Sequence, residues 1–170
     1  MYFGISEADI RKGLLNYRTV GMRQQIFEVG GVTLINDCYN ASPESMRAAA
    51  EVLSTLAAEK GGRKIALLGD MLELGDFSDA LHYSVGEHFG AMGVRLFTFG
   101  ESAERIADGA AKHLNSDMIT RSCATTDEDA ARVAALIASE VSVGDCILIK
   151  ASRRIAAERV SAELTNILGK

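Results

Sequence analysis

The chain has 170 residues, of which 48% are hydrophobic, so it is long enough to form one domain with a substantial core. Its formal charge of -5 and its lack of Trp argue against a nucleic-acid partner, which would require a basic surface. No apolar run is as long as a membrane-spanning helix, and the first residues lack a signal-peptide pattern. We therefore expect a cytoplasmic protein with no membrane partner, whose three cysteines are reduced thiols.

Residues 1–22 contain a short helical pattern. Ser6 stands where an N-cap would be, and the apolar residues Ile10 and Leu14 follow at helical spacing. This part has no predicted strand, so we interpret it as a linker or as the tail of a preceding domain. A single folded domain is predicted over residues 23–170.

The predicted domain begins with a hairpin and continues as alternating helices and strands. Two β-forming stretches, 24–29 and 32–36, flank Gly30-Gly31, a pair typical of tight hairpin turns. Further strands are predicted at 64–69, 94–99, 118–123 and 146–149, and helices at 43–60, 81–92, 103–110, 126–137 and 155–168. Apolar strands separated by helices indicate a parallel sheet covered on both faces. The predicted fold class is α/β, a Rossmann-like three-layer domain whose mostly parallel sheet of about six strands has one antiparallel strand from the hairpin.

Polar residues follow several predicted strands at the point where each strand ends. These loops are Asp37-Cys38-Tyr39-Asn40, Gly69 to Gly75, Gly100-Glu101-Ser102 and Lys150 to Arg154. Sheets of this class bind ligands beyond the carboxyl ends of their strands. The first loop also leads through Ser42 and Pro43 into a helix, whose N-terminus offers unpaired N–H groups to an anion. We expect a small or anionic ligand at this edge.

Several common catalytic patterns are missing from the sequence. No GxGxxG follows a strand, and no GxxxxGK[ST] loop is present to hold ATP phosphates. No His or Cys cluster has zinc-ligand spacing, and Ser152 has no histidine near it in sequence. These residues alone therefore lack the parts of a complete catalytic site.

Four segments resemble the bacterial Mur ligases, in the branch that adds D-alanyl-D-alanine. Residues 37–43, DCYNASP, resemble that branch's DSYNANP, and residues 68–75 match its LGDMLELG without change. Residues 150–153, KASR, resemble its KGSR, and residues 21–23 resemble the GMR that opens its C-terminal domain. The order of the segments is also that of the family, and the resemblance covers essentially residues 5–168.

The resemblance implies that residues 23–170 are the C-terminal domain of a ligase joining D-alanyl-D-alanine to UDP-N-acetylmuramoyl-tripeptide. In that family a central domain binds ATP and Mg²⁺, and an N-terminal domain binds the UDP-sugar. ATP phosphorylates the tripeptide carboxylate, and the dipeptide amine attacks the acyl phosphate. The implied role of this domain is to close over ATP and position the dipeptide, without activity of its own.

The resemblance also implies a nucleotide-binding set of residues. Arg23 and Asp37 are expected to contact the nucleotide, with the Asp37 carboxylate accepting hydrogen bonds from ribose hydroxyls. Tyr39 and Asn40 are expected to border the nucleotide, and Asn40 also the incoming dipeptide.

A second set is implied for the dipeptide. Lys150, Ser152 and Arg153 lie on the loop where its carboxylate would need a cation and hydrogen-bond donors, and an arginine fork suits a carboxylate. The Asp70 carboxylate is expected either to meet the dipeptide ammonium or to serve as a turn or cap residue. Three positions depart from the family pattern: Cys38, Ser42 and Ala151, the last of which would matter if the position required a positive φ.

Two other interpretations remain open from the sequence. Asp37, Asp70 and Lys150 at three strand ends also resemble a phosphorylatable receiver domain, although Asn36-Asp37 supplies only one of the two carboxylates that a receiver needs. A different amide ligase with a similar C-terminal domain, such as a folylpolyglutamate synthase, is the other alternative. The LGDMLELG segment argues against it.

Overall fold

The computed structural model describes residues 4–16 and 21–170, which form a six-stranded sheet between two layers of helices. The strands are β1 (Gln25–Val29), β2 (Val32–Asp37), β3 (Lys64–Gly69), β4 (Arg95–Phe99), β5 (Ile119–Thr120) and β6 (Cys146–Lys150). The helices are α1 (Glu7–Leu15), α2 (Pro43–Lys60), α3 (Ser78–Ala91), α4 (Glu104–Ala110), α5 (Asp127–Glu140) and α6 (Glu158–Leu168). The strand order is β1-β2-β6-β3-β4-β5, with β1 antiparallel to β2 and the other neighbours parallel. The predicted α/β fold is confirmed.

The hairpin forms because its two central residues are glycines. Gly30 and Gly31 have φ values of 58° and 78°, a left-handed pair that residues with a Cβ adopt only with strain. Val29 pairs directly with Val32 across this turn. The turn therefore fixes the register of β1 on β2.

Helix α2 begins and ends at residues that the sequence marks. The Ser42 hydroxyl accepts the N–H of Ser45, the Ser45 hydroxyl accepts the N–H of Ser42, and Pro43 occupies the first turn. Gly61, with a φ of 69°, ends the helix in the left-handed conformation. The helix start is thereby fixed directly after the loop that leaves β2.

Two apolar layers cover the sheet. Residues of α2, α3 and α4 pack on one face, with Met46, Phe89 and Ile106 fully buried. Residues of α5 and α6 pack on the other face around Val133 and Leu164. With both faces covered, the strand ends are the parts of the parallel strands left open to a ligand.

Several elements differ from their predicted bounds: α3 begins at Ser78 rather than at 81, and α5 ends at Glu140 rather than at 137. Two further differences have clear physical reasons. β5 has only two residues, Ile119–Thr120, because it pairs only with β4 at the sheet edge and the next residues, Arg121 and Ser122, are polar. α6 begins at Glu158 rather than at 155, because Arg153–Ile155 forms a 3-10 turn that ends at Ala156 with a φ of 55°.

Helix α1 stands apart from both layers. The Ser6 hydroxyl caps it as predicted by accepting the N–H of Asp9, yet none of its residues is buried, and Leu14 and Leu15 are 72% and 81% exposed. The connection predicted after it includes residues 17–20, which, with residues 1–3, lie outside the described residues. Within the described ranges, no helix combines the length and the apolarity needed to span a membrane.

The contact between α3 and α4 depends on glycine, which gives a prediction about stability. A Cβ on Gly86 would lie 1.9 Å from the carbonyl oxygen of Ile106, so Gly86→Ala should push the helices apart. We expect a loss of about 1–3 kcal/mol in the free energy of unfolding, measured by urea denaturation. Gly13→Ala on α1, where a Cβ would meet no atom within 4 Å, is the matched control and should not destabilise the chain. Equal stability of Gly86→Ala and the wild type would contradict this packing.

Candidate functional site

The site is built around an ion pair at the ends of two adjacent parallel strands. The register pairs Asp37 at the end of β2 with Lys150 at the end of β6, so the two side chains emerge next to each other. Lys150 Nζ lies 2.6 Å from Asp37 Oδ2 and donates a second hydrogen bond, 2.9 Å long, to the backbone carbonyl of Asn40. The lysine is only 1% exposed. Lys150 therefore fixes both the Asp37 carboxylate and the loop that leads into α2.

The segment before β1 completes this arrangement. Gln24, in a left-handed conformation with a φ of 45°, donates its N–H to Asp37 Oδ1 over 3.1 Å. Tyr39 N–H donates to the Met22 carbonyl, and the Arg23 guanidinium lies 3.8 Å from the centroid of the Tyr39 ring. The stacked pair presents a flat, cationic surface beside the buried carboxylate.

A cleft of about 370 Å³ opens over these groups. Its lining residues are Arg23, Gln24, Asp37, Tyr39, Asn40, Ser42, Ser45 and Lys150. The structure thus brings together the four residues predicted for the nucleotide, and it adds Lys150 to them. The N-terminus of α2 also opens here through its two capping serines.

A smaller cavity of about 90 Å³ adjoins the cleft. It is lined by Asn40, Leu72, Glu73, Ser152, Arg153 and Arg154. Asn40 lines both cavities, so any ligands in the two would be neighbours. Three residues predicted for the dipeptide, Asn40, Ser152 and Arg153, therefore share this cavity.

Asp70 has a different environment. Its side chain turns toward α4, where Oδ1 accepts the N–H of Ala103 over 2.6 Å, and the residue is 7% exposed. Burial raises the pKa of this carboxyl above its usual value, against the lowering effect of hydrogen bonds from the Ala103 and Ser102 backbones. Asp70 also packs so closely on Gly100 that a Cβ there would lie 2.3 Å from Oδ1. Its hydrogen bonds cap the start of α4.

Two side chains hold the loop that follows Asp70. The Ser152 hydroxyl accepts the N–H of Leu72, and His82 Nε2 accepts the N–H of Met71, each over 2.9 Å. His82 Nδ1 lies 2.7 Å from the Ser78 carbonyl oxygen and so carries the ring hydrogen. Both side chains are almost fully buried. The sequence predicts neither contact. Ser152 and Leu72 are far apart along the chain, and the orientation of the His82 ring is set by packing.

The remaining predicted positions have clear contacts. Arg153 Nη1 pairs with the Glu158 carboxylate and lies 3.5 Å from Met22 Sδ. Cys38 is buried, and burial raises the pKa of its thiol to about 12, so it is an inert packing residue. Ala151 lies in the core and does not require a positive φ; among the described residues other than glycine, only Gln24, Glu73 and Ala156 do. Ala151 therefore replaces the family's Gly without backbone strain.

Removing the Asp70 carboxylate should test its capping role. Asp70→Ala would leave the buried backbone N–H of Ala103 without its acceptor, so we expect a loss of about 1–3 kcal/mol in the free energy of unfolding. Asp76→Ala, in the same loop but exposed, should change stability little. Thermal unfolding of the two variants makes the comparison, and equal melting temperatures would rule out the cap.

No metal site is evident on this side of the molecule. Over residues 4–16 and 21–170, no three His, Cys, Asp or Glu side chains are grouped so as to hold a metal ion. The polar groups present suit a ligand with hydroxyls, a flat ring and negative charge, because they comprise a carboxylate and a stacked, cationic arginine.

Comparison with known proteins places these features in a family. Residues 22–153 match the model of the family described as "Mur ligase, glutamate ligase domain". The UDP-N-acetylmuramoyl-tripeptide--D-alanyl-D-alanine ligase of Bacillus subtilis is 38% identical over 165 residues, which are 96% of this chain and 35% of the relative.

Solved structures with a similar fold are also ligases of this family. The MurF ligase of Thermotoga maritima in complex with ADP superposes with a TM-score of 0.74 at 31% identity, covering 90% of this chain and 32% of that one. A MurF structure from Acinetobacter baumannii gives 0.78 at 30% identity, covering 96% and 34%. The chain thus spans about a third of the length of these relatives. With most of its length matched by the family model and its fold shared with MurF, the chain belongs to the Mur ligase family and corresponds to its C-terminal domain.

Proposed function

We propose that this chain is the C-terminal domain of a ligase that adds D-alanyl-D-alanine to UDP-N-acetylmuramoyl-tripeptide during synthesis of peptidoglycan precursors in the cytoplasm. The observation that carries the proposal is the adjoining pair of cavities joined at Asn40, one suited to a nucleotide and one to a small polar substrate. The names of the relatives support the identity of the two substrates. The substrates and partners are small molecules, together with the central and N-terminal domains of the same protein.

The larger cleft is the proposed nucleotide site. The Asp37 carboxylate, held by Lys150 and by the N–H of Gln24, keeps lone pairs available for ribose hydroxyls. The stacked Arg23 and Tyr39 provide a flat surface for a base, since arginine and aromatic faces both stack on π systems. ATP and Mg²⁺ would be held mainly by the central domain, and this cleft would close over the nucleotide.

Closure of this domain has a chemical purpose in the proposed reaction. ATP supplies the phosphoryl group that activates the tripeptide carboxylate, and such an activated group must be kept from water. A domain that closes over the site excludes water and brings the dipeptide amine into register. Asn40 lines both cavities, and its proposed role is to align the amine with the activated carboxylate.

The N-terminal segment supports the proposed division of the chain. Helix α1 has exposed Ile10, Leu14 and Leu15 and buries no residue against the domain. Apolar side chains at helical spacing normally pack against a partner. We propose that residues 1–22 are the linker or tail of the central domain and that residues 23–170 are the C-terminal domain. The apolar face of α1 would then pack on the central domain.

The receiver-domain alternative has a direct test. A receiver would accept a phosphoryl group on Asp70, but this carboxylate is buried and caps α4. Incubation with acetyl phosphate should therefore leave Asp70 unmodified in a mass spectrum. Stoichiometric labelling of Asp70 would overturn the proposal.

The proposed function is tested with a complete ligase, in which this chain follows the central and N-terminal domains. We expect ATP-dependent ligation of D-alanyl-D-alanine to UDP-N-acetylmuramoyl-tripeptide, with release of ADP and phosphate. Glutamate, the amine that a folylpolyglutamate synthase adds, should not be ligated. Residues 1–170 alone should give no turnover. Ligation of glutamate in preference to the dipeptide would refute the substrate assignment, and turnover by the fragment alone would refute the division of labour.

A further inference from the structure

We propose that Glu73 and Arg154 bind the two charged ends of the dipeptide in the smaller cavity. In this arrangement Arg154 holds the terminal carboxylate and Glu73 receives the ammonium group. The inference rests on the proposed function. It names two residues to which neither the sequence motifs nor the predicted site gave a role.

The first argument is that the other charged groups near the cavity already have partners. Lys150 is buried against Asp37, Asp70 caps α4, and Arg153 pairs with Glu158. Among the described residues, neither Glu73 nor Arg154 makes a hydrogen bond or an ion pair, and both are exposed at the cavity. One carboxylate and one guanidinium therefore remain available for a ligand that carries both charges.

The backbone at Glu73 supplies the second argument. Its φ of 65° lies in the left-handed region, where a glycine would be free of strain. The neighbouring residues hold it there, because the Leu72 N–H is bound to Ser152 and the 3-10 turn Gly75–Phe77 follows Leu74. Such conformations are found preferentially at binding sites. A ligand for its carboxylate would explain why a glutamate, and not a glycine, occupies this strained position.

Ser152 also joins the two backbone segments that carry these charges. Its hydroxyl accepts the N–H of Leu72 and its own N–H donates to the Asp70 carbonyl over 3.0 Å, so it joins the loop of Glu73 to the loop of Arg154. Arg154 itself lies in the 3-10 turn Arg153–Ile155, which ends at Ala156 in a left-handed conformation. Both charges are thus carried by short, fixed segments, as recognition of a small zwitterion requires.

The small cavity lies next to the nucleotide cleft, as attack of the dipeptide amine on the activated carboxylate would require. Asn40 lies between the nucleotide cleft and this cavity. Its Oδ1 accepts the N–H of Ala41, which leaves the side-chain NH₂ group to donate to a ligand. An amine bound by Glu73 would share this small cavity with Asn40, which also lines the nucleotide cleft.

The experiment uses the complete ligase and two substrates, D-alanyl-D-alanine and D-alanyl-D-alaninamide. Arg154→Ala should raise KM for the dipeptide at least about tenfold, because a charge-assisted contact is lost, and should leave KM for ATP unchanged. The amide lacks the carboxylate, so its kcat/KM should be the same in Arg154→Ala and in the wild type. Glu73→Gln should also raise KM for the dipeptide.

Control variants separate binding from backbone strain. Glu73→Gly relieves the left-handed conformation, so its melting temperature should equal or exceed that of the wild type while KM for the dipeptide still rises. Arg105→Ala and Glu59→Gln, exposed on α4 and α2, should change neither constant. Wild-type dipeptide kinetics in both Arg154→Ala and Glu73→Gln would overturn this inference. Failure of the wild-type complete ligase to use the dipeptide at all would instead overturn the proposed function.

Discussion

Lys150→Met is expected to lower the free energy of unfolding of this chain by about 3–5 kcal/mol, because it leaves the Asp37 carboxylate buried without its counter-charge. The lysine side chain is 2% exposed and the aspartate side chain 11%, so water that enters from the cleft can replace the lost partner only in part. The carbonyl of Asn40 loses a donor as well. Urea denaturation measures the change.

A second variant shows whether charge or packing is responsible. Asp37→Asn/Lys150→Met removes both charges, keeps an acceptor for the Gln24 N–H and fills a similar volume, so it should recover most of the lost stability. Lys60→Met, which breaks the exposed pair of Lys60 with Glu28, is the surface control and should change stability little. The account of the ion pair is wrong if Lys150→Met is as stable as the wild type or if the double variant does not recover.

The same double variant gives the second large effect, on catalysis. In the complete ligase, Asp37→Asn/Lys150→Met should fold normally yet ligate about a hundredfold more slowly at subsaturating ATP, because the carboxylate proposed for the ribose is gone and the Asn40 loop has lost its anchor. Steady-state kinetics with ATP varied at saturating dipeptide measure the loss. Glu44→Gln, exposed in the first turn of α2 and outside the cleft lining, should retain wild-type activity. Wild-type kcat/KM for ATP in the double variant would remove Asp37 from the site.

Much of the fold was predictable because its signals are local. Gly30-Gly31 specified the hairpin, and Ser42 with Pro43 specified the start of α2. The shorter β5 was not predictable, because its length depends on pairing with β4 alone at the sheet edge. The delayed start of α6 depends on a left-handed Ala156, which composition does not reveal.

The sequence predicted where the candidate site lies on the sheet, but not which of its side chains contact each other. The rule that ligands bind at carboxyl ends of strands selected the edge at which Asp37, Asn40 and Lys150 meet. Which charges are already paired is a matter of contacts between residues far apart in sequence, such as Asp37 with Lys150 or Asp70 with Ala103. The sequence therefore could not distinguish positioning residues from those left available for a ligand.

The proposed roles of Glu73 and Arg154 could not be derived from the sequence for the same reason. Glu73 lies inside the LGDMLELG segment together with Asp70, and its φ of 65° is a feature of the fold that the sequence does not show. Arg154 adjoins the KASR segment, and from the sequence it cannot be distinguished from an ordinary exposed arginine on a helix. Its place at the cavity follows from the 3-10 turn that delays α6.

The most direct test of the central claim is a crystal structure of the complete ligase with ADP and D-alanyl-D-alanine bound. The distances from the ribose oxygens to the Asp37 carboxylate, and from the dipeptide's two ends to Glu73 and Arg154, are the measurement. We predict hydrogen-bond distances at all three, with this domain closed over both ligands. A closed complex in which the nucleotide and the dipeptide touch none of these three side chains would contradict the account.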